Sequence, residues 1–313
     1  MDKIIYTTPK QQIAKLREQN LIINNEEFAE TVLLQSGYSN LVKSYREPFV
    51  FSSDGKKKFR SGITFEQVCS LYLLDKNLRN GIMASLLDLE EYIKEAAADV
   101  VASSFGTHQD DYLQFRNYRN KKKKLRFSLP EILKKMRSTL DTDKNPIYHY
   151  STVHGIVPPW ILFKSLYFST IVNFIDLLKV PEQSKLVHRF YNLNELNISE
   201  SQARMLMMDS LYTALAYRNV AAHGGRIYNY TPDVRLRITE IFGSDDDRQF
   251  LGFSQLLYSL SLLKYQEPFE RLRAILNEEL TRHCRVYPED RTYLAQILDI
   301  NIVWSEPKEA TEA

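Results

Sequence analysis

Arg218, Asn219 and His223 close one helical stretch of this 313-residue chain, in the string SLYTALAYRNVAAHGGRIYNY. Arginine is a permanent, planar cation whose donors match phosphate oxygens in pairs. Histidine is the side chain best placed to give and take a proton near neutral pH. Asparagine adds a donor and an acceptor that fix geometry. This set suits a phosphate site: His223 as an acid or a phosphate contact, and Arg218 as a permanent cation matched to phosphate oxygens.

A helix must carry them. Ser199 followed by Gln202 is a capping-box pattern. Apolar residues then recur at helical spacing, at Met205, Met208, Leu211 or Tyr212, Leu215 and Ala222. This stripe is expected to face the core. Gly224-Gly225 is a stop signal. The spacing predicts a helix from about 200 to 222 with the three polar residues at its carboxyl end, where the helix dipole favours a cation. Asn219 and His223, four apart, share a face, whereas Arg218 and His223 lie about 140° from each other. One helix alone therefore does not aim both cations at one atom, but two copies packed together can. The plainer reading is that Arg218 caps carbonyls and His223 simply ends a helix.

The run Arg218-Asn219-Val220-Ala221-Ala222-His223 resembles the motif of the HEPN ribonucleases, and RNVAAHGGRIYN is similar to the abortive-infection (Abi-like, D/F type) branch of that family. GYSNLVKSYREPF, LYLLDKNLRNGI, LEEYIKE and the tryptophan-led stretch from Trp160 resemble the same branch, so the likeness runs from about residue 6 to 300. The resemblance implies an all-α protein, a HEPN-like helical bundle with flanking helices. It implies a metal-independent endoribonuclease of a phage-defence system, with no cofactor, leaving 2′,3′-cyclic phosphate ends. Arg218, Asn219 and His223 would be catalytic in a composite site of a homodimer. RNA would be the substrate, and a small non-coding RNA a regulatory partner. Two other classes compete: a catalytically silent HEPN scaffold that binds RNA, and a DNA-binding regulator using the amino-terminal helices.

Other residues are candidates for support. The longest helical pattern follows Thr64 and Gln67, with a stripe at Val68, Leu71, Asp75, Leu78, Ile82, Leu86, Leu89, Ile93, Ala97 and Val100. Asp75 sits on that stripe with Arg79 at i+4, the nearest partner for a buried charge. Asp75, Arg79 and Glu90 read either as a structural ion-pair network or as groups orienting Arg218 or His223. Arg226 belongs to the motif's downstream context.

Between Tyr112 and Leu129 lie Arg116, Arg119, Lys121, Lys122, Lys123, Lys124 and Arg126 without an acidic residue, interleaved with Tyr112, Phe115, Tyr118 and Phe127. Cations for phosphates and rings for bases suit single-stranded or looped RNA, although a charge run is commonly a solvated loop. A polar loop or hairpin at 51–62 carries Lys56, Lys57, Lys58 and Arg60. His149 and His154, without cysteine or a nearby carboxylate, point only weakly to metal. The stretch from Pro158 to Leu178 reads as one helix.

The composition, 44% hydrophobic and 26% charged with 10 glycines and 11 prolines, fits a globular protein with long helices. A net charge of +2 confines any nucleic-acid site to a local patch. Cys69 and Cys284 read as buried free thiols. The amino terminus has no signal-peptide pattern and no run is long enough to span a membrane, so a cytoplasmic protein is expected. The expected layout is an amino-terminal helical region over 1–60, a HEPN-like domain over 61–304 with a basic insertion at about 106–130, and a disordered tail over 305–313. No Ser/His/Asp arrangement is visible in the chain order.

Overall fold

A computed structural model describes residues 5–53, 55–120, 127–243 and 249–300. The expected tail and the lysines of the basic run lie outside them. The protein is predominantly all-α. In chain order the helices are α1 (Pro9–Glu18), α2 (Glu26–Ser36), α3 (Phe65–Phe105), α4 (Gln109–Tyr112), α5 (Leu129–Leu140), α6 (Ile147–His149), α7 (Pro159–Lys164), α8 (Phe168–Leu177), α9 (Val180–Phe190), α10 (Leu193–Leu196), α11 (Glu200–Ala222), α12 (Ile238–Phe242), α13 (Phe253–Ser261), α14 (Glu267–Val286) and α15 (Arg291–Leu298). One hairpin, β1 (Val50–Ser53) with β2 (Lys56–Phe59), interrupts them, pairing Val50 with Phe59 and Ser53 with Lys56. The chain divides into two compact units, one of residues 1–80, 226–229 and 274–313, the other of 81–225 and 230–273.

In the first unit the starts of α1, α2 and α3 each have a side-chain reason. Thr8 and Gln11 form a capping box before Pro9 at the first turn of α1. Asn25 caps α2 by accepting the Phe28 N–H at 2.9 Å. Thr64 Oγ1 accepts the Gln67 N–H at 3.0 Å where α3 begins. The hairpin is tied down when Phe59 donates its N–H to the Gln19 carbonyl. Ile13, Leu16, Phe59, Phe65, Leu71, Leu280 and Leu298 fill the core.

The second unit is built around α11, which packs on α8, α9, α12 and α13. Every residue of the predicted α3 stripe, from Val68 to Val100, is buried. The predicted single helix from Pro158 is two. Tyr167 leaves helical geometry with ψ 148°, separating α7 from α8. All of α8 except Ser169 is buried, more than the single apolar face a surface helix hides. Asp209 on α11 accepts a paired hydrogen bond from Arg237, Nε at 2.9 Å and Nη2 at 2.7 Å, the fork geometry that suits arginine.

Candidate active site

The end of α11 is a Schellman turn. The Gly224 N–H reaches the Ala221 carbonyl at 3.1 Å and the Gly225 N–H reaches the Val220 carbonyl at 2.9 Å. Gly224 holds φ +70°, a conformation that costs other residues strain. At Gly225 the constraint is space: a Cβ would lie 2.6 Å from Val220 Cγ1. The two glycines thus stop the helix at Ala222 and leave His223 as its C-cap residue. The Ser199–Gln202 capping box predicted at the other end is present.

The predicted apolar stripe is sealed only in part, at Leu211 and Leu215. The buried side of α11 is lined by Ala203, Leu206, Met207, Ser210, Ala214, Tyr217 and Ala221, while Met205 and Met208 are half-buried and Ala222 is exposed. The reason is burial from several sides: four helices cover α11, so its core face is wide and centred elsewhere. What remains is a half-open strip along Met205, Met208, Tyr212, Ala216 and Asn219, ending at exposed His223. Steps of three and four keep these residues on one line of the helix surface. Asn219 and His223 are thus brought together on one face. Arg218 lies off that line, half-buried, and its Nε has no hydrogen-bond partner among the described residues.

Asp75, Arg226 and Glu90, among the support residues, each have identified partners. Asp75 is fully buried in the first unit. Its Oδ1 accepts the N–H groups of Ile227 and Tyr228 at 2.8 and 2.7 Å, and its Oδ2 accepts the Tyr45 hydroxyl at 2.6 Å. Arg79, the partner expected from spacing, stands at a loose 3.9 Å. Burial raises the Asp75 carboxyl above its ordinary range, against the pull of these donors. Arg226 is exposed and donates to the Ser44 carbonyl at 2.6 Å. Glu90, in the second unit, pairs with Lys94 at 2.7 Å. Asp75 therefore positions backbone immediately downstream of the motif.

The basic segment is only partly as expected. Tyr112 and Tyr118 are core residues: the Tyr112 hydroxyl donates to the Val157 carbonyl at 2.6 Å, and the Tyr118 ring meets Phe105 and Phe174 edge-on. They are not free to stack on bases. Arg119 is committed through Nη2 to the Asp176 carbonyl at 2.8 Å. Arg116 and Phe115 are exposed. Lys121, Lys122, Lys123, Lys124 and Arg126 lie outside the described residues.

His149 and His154 are exposed with ring centroids 5.6 Å apart, and no group of metal-ligating side chains occurs among the described residues. Cys69 is buried, which pushes its thiol up to about 12, and Cys284 is half-buried rather than buried. One constellation escaped the sequence. Ser70 Oγ lies 2.8 Å from His283 Nδ1, and His283 Nε2 lies 3.0 Å from Asp290 Oδ2, itself held by Gln67 at 2.9 Å. His283 is only 1% exposed, so this set ties α14 to α3 and offers no substrate access. Its members come from distant parts of the chain, which no local spacing signals.

No helix among the described residues is long and apolar enough to cross a membrane. Compared with known proteins, the chain matches the model of a family described as Abi-like protein over residues 31–229, which takes in the whole of α11, the cap glycines and the Asp75-held segment. No curated protein and no solved structure matches it.

Proposed function

The chain belongs to the Abi-like family, and from that premise we propose that it acts in abortive infection as a metal-independent endoribonuclease of the HEPN type. In this reading the ribose 2′-hydroxyl gives up its proton to a base or to water as its oxygen attacks the adjacent phosphorus, the bond from phosphorus to the 5′-oxygen breaks, and a proton is delivered to that leaving oxygen. The products are a 2′,3′-cyclic phosphate and a 5′-hydroxyl end. His223 carries the proton or holds the phosphate, Arg218 answers the charge on the phosphate oxygens, and Asn219 fixes the geometry by hydrogen bonds.

The observation that carries this reading is the strip from Met205 to His223. It is a half-open, partly apolar line on a rigid helix that ends at Asn219 and His223. A second copy laid against it would bring a second Arg218 and His223 to the same cleft, which a single helix does not achieve. The capped helix end fixes the backbone at His223, and half-buried Arg218 stands one residue before Asn219 on the same helix. Exposed Arg116, which opens the basic run in the sequence, is the candidate contact for substrate or for a regulatory RNA.

The test is cleavage of total RNA by the purified protein, with end-group analysis. His223→Ala and Arg218→Ala should each abolish cleavage and toxicity while circular dichroism and dimer mass stay unchanged. Undiminished cleavage in both variants removes the assignment. RNA retention without any cleavage by the wild type indicates a silent scaffold instead.

A further inference from the structure

A cleft of about 780 Å³ opens in the second unit, floored by the stretch of α3 from Leu87 to Glu95 and walled by Trp160, Lys164 and Tyr265. Its chemistry is acidic and aromatic. Asp88, Glu90, Glu91 and Glu95 line it against Lys94 and Lys164. Asp88 is met by Arg271 at 3.0 Å, and Lys94 by Glu90 Oε1 at 2.7 Å. Glu91 and Glu95 are exposed and form no ion pair among the described residues. Glu90 is 8% exposed, and its second carboxylate oxygen, Oε2, has no hydrogen-bond partner among the described residues. A buried carboxylate oxygen without a donor is costly and calls for one. Tyr92 and Tyr265 pack with ring centroids 4.9 Å apart, and Trp160 stands half-buried beside them in the lining.

We propose that this cleft binds an extended aliphatic cation, with two or more ammonium groups on methylene stems. An anion would meet four carboxylates, and a purely apolar ligand would leave Glu90 Oε2 without a donor. The rings would take the stem and a cationic head by cation–π contact. Glu91 and Glu95, four apart, put carboxylates about 5–6 Å from each other at their bases, and the floor from Leu87 to Glu95 runs about 12 Å along the helix. Those lengths match ammonium groups separated by three or four methylenes. Such a ligand is either a free polyamine or the lysine side chains of an extended peptide.

Titration calorimetry of the full chain with spermidine, and separately with tri-lysine, tests this. One saturable site per chain is expected for at least one of them. Affinity should fall tenfold or more in Glu90→Gln and in the exposed pair Glu91→Gln/Glu95→Gln, which carries no folding risk. Glu27→Gln, an exposed acid on α2, should change nothing. Binding of spermidine alone identifies a free polyamine, and binding of tri-lysine identifies peptide side chains. The proposal is overturned if neither binds, if the cleft variants bind as the wild type does, or if Glu27→Gln weakens binding equally.

Discussion

Asp75 holds the backbone of Tyr228: its Oδ1 accepts that residue's N–H at 2.7 Å, 153 positions along the chain. The same oxygen takes the Ile227 N–H and its neighbour takes the Tyr45 hydroxyl. Three donors converge on a carboxylate that water does not reach. Asp75→Ala leaves them all unanswered and should cost about 3–5 kcal/mol. Asp75→Asn keeps one acceptor for the two backbone groups and should cost about half that. Urea unfolding midpoints measure both, and an alanine variant as stable as the wild type refutes the anchoring role.

The same carboxyl sets a pH dependence. Burial raises it above the ordinary aspartate value, while Tyr45, Tyr228, Ile227 and Arg79 pull it back part of the way. The folded chain therefore holds this proton at higher pH than the unfolded chain does. The linked stabilisation is fully present below about pH 4, the unfolded aspartate value, and is lost as pH rises through the raised folded value. Unfolding midpoints taken upward from about pH 4 should show this decline in the wild type and lack it in Asp75→Asn. Parallel profiles for the two proteins contradict the assignment.

The glycines after His223 make separable demands. Gly224→Ala forces a side chain into φ +70°, at about 1–2 kcal/mol. Gly225→Ala sets its Cβ 2.6 Å from Val220 Cγ1 and 3.2 Å from the Val220 carbonyl oxygen. Val220→Ala should therefore rescue much of the second variant's loss of melting temperature and none of the first's. Rescue of both, or of neither, shows that the cap is not shaped as described.

Local spacing explains what was readable. The α3 stripe, the Ser199–Gln202 box and the glycine stop all depend on residues within four positions of each other, and each occurs where the spacing places it. Asp75 marks where that ends. Its i+4 partner Arg79 was legible but stands at 3.9 Å, while the short bonds go to Tyr45, Ile227 and Tyr228. The Ser70–His283–Asp290 set was invisible for the same reason. Met205 and Met208 show a different failure: periodicity reports that a helix has an apolar face, but when four helices surround it, the neighbours decide which face is sealed. Tyr112 and Tyr118 read as base-stacking rings because composition alone does not separate a core tyrosine from a surface one.

The half-open strip on α11 should be a self-association surface if the composite site exists. Met208→Glu puts a charge in its middle without touching Arg218, Asn219 or His223. Sedimentation should then show a monomer, and RNA cleavage should fall together with dimer fraction while melting temperature shifts by little. A monomeric Met208→Glu that cleaves normally separates catalysis from pairing.

Arg116 and Arg119, three apart in the basic segment, should behave differently. Arg116 is exposed, so Arg116→Ala should leave stability within about 0.5 kcal/mol of wild type. If the segment contacts RNA, that variant should weaken retention and reduce its salt dependence by about one phosphate contact. Arg119 is committed to the Asp176 carbonyl through its guanidinium and to the Leu177 carbonyl through its N–H. Arg119→Ala should instead lower the unfolding free energy by about 1–2 kcal/mol, with RNA retention per folded molecule unchanged. Filter binding across a salt series, set beside urea unfolding of both variants, distinguishes the two. Equal loss of RNA affinity in both places Arg119 on the binding surface despite its bond to α8.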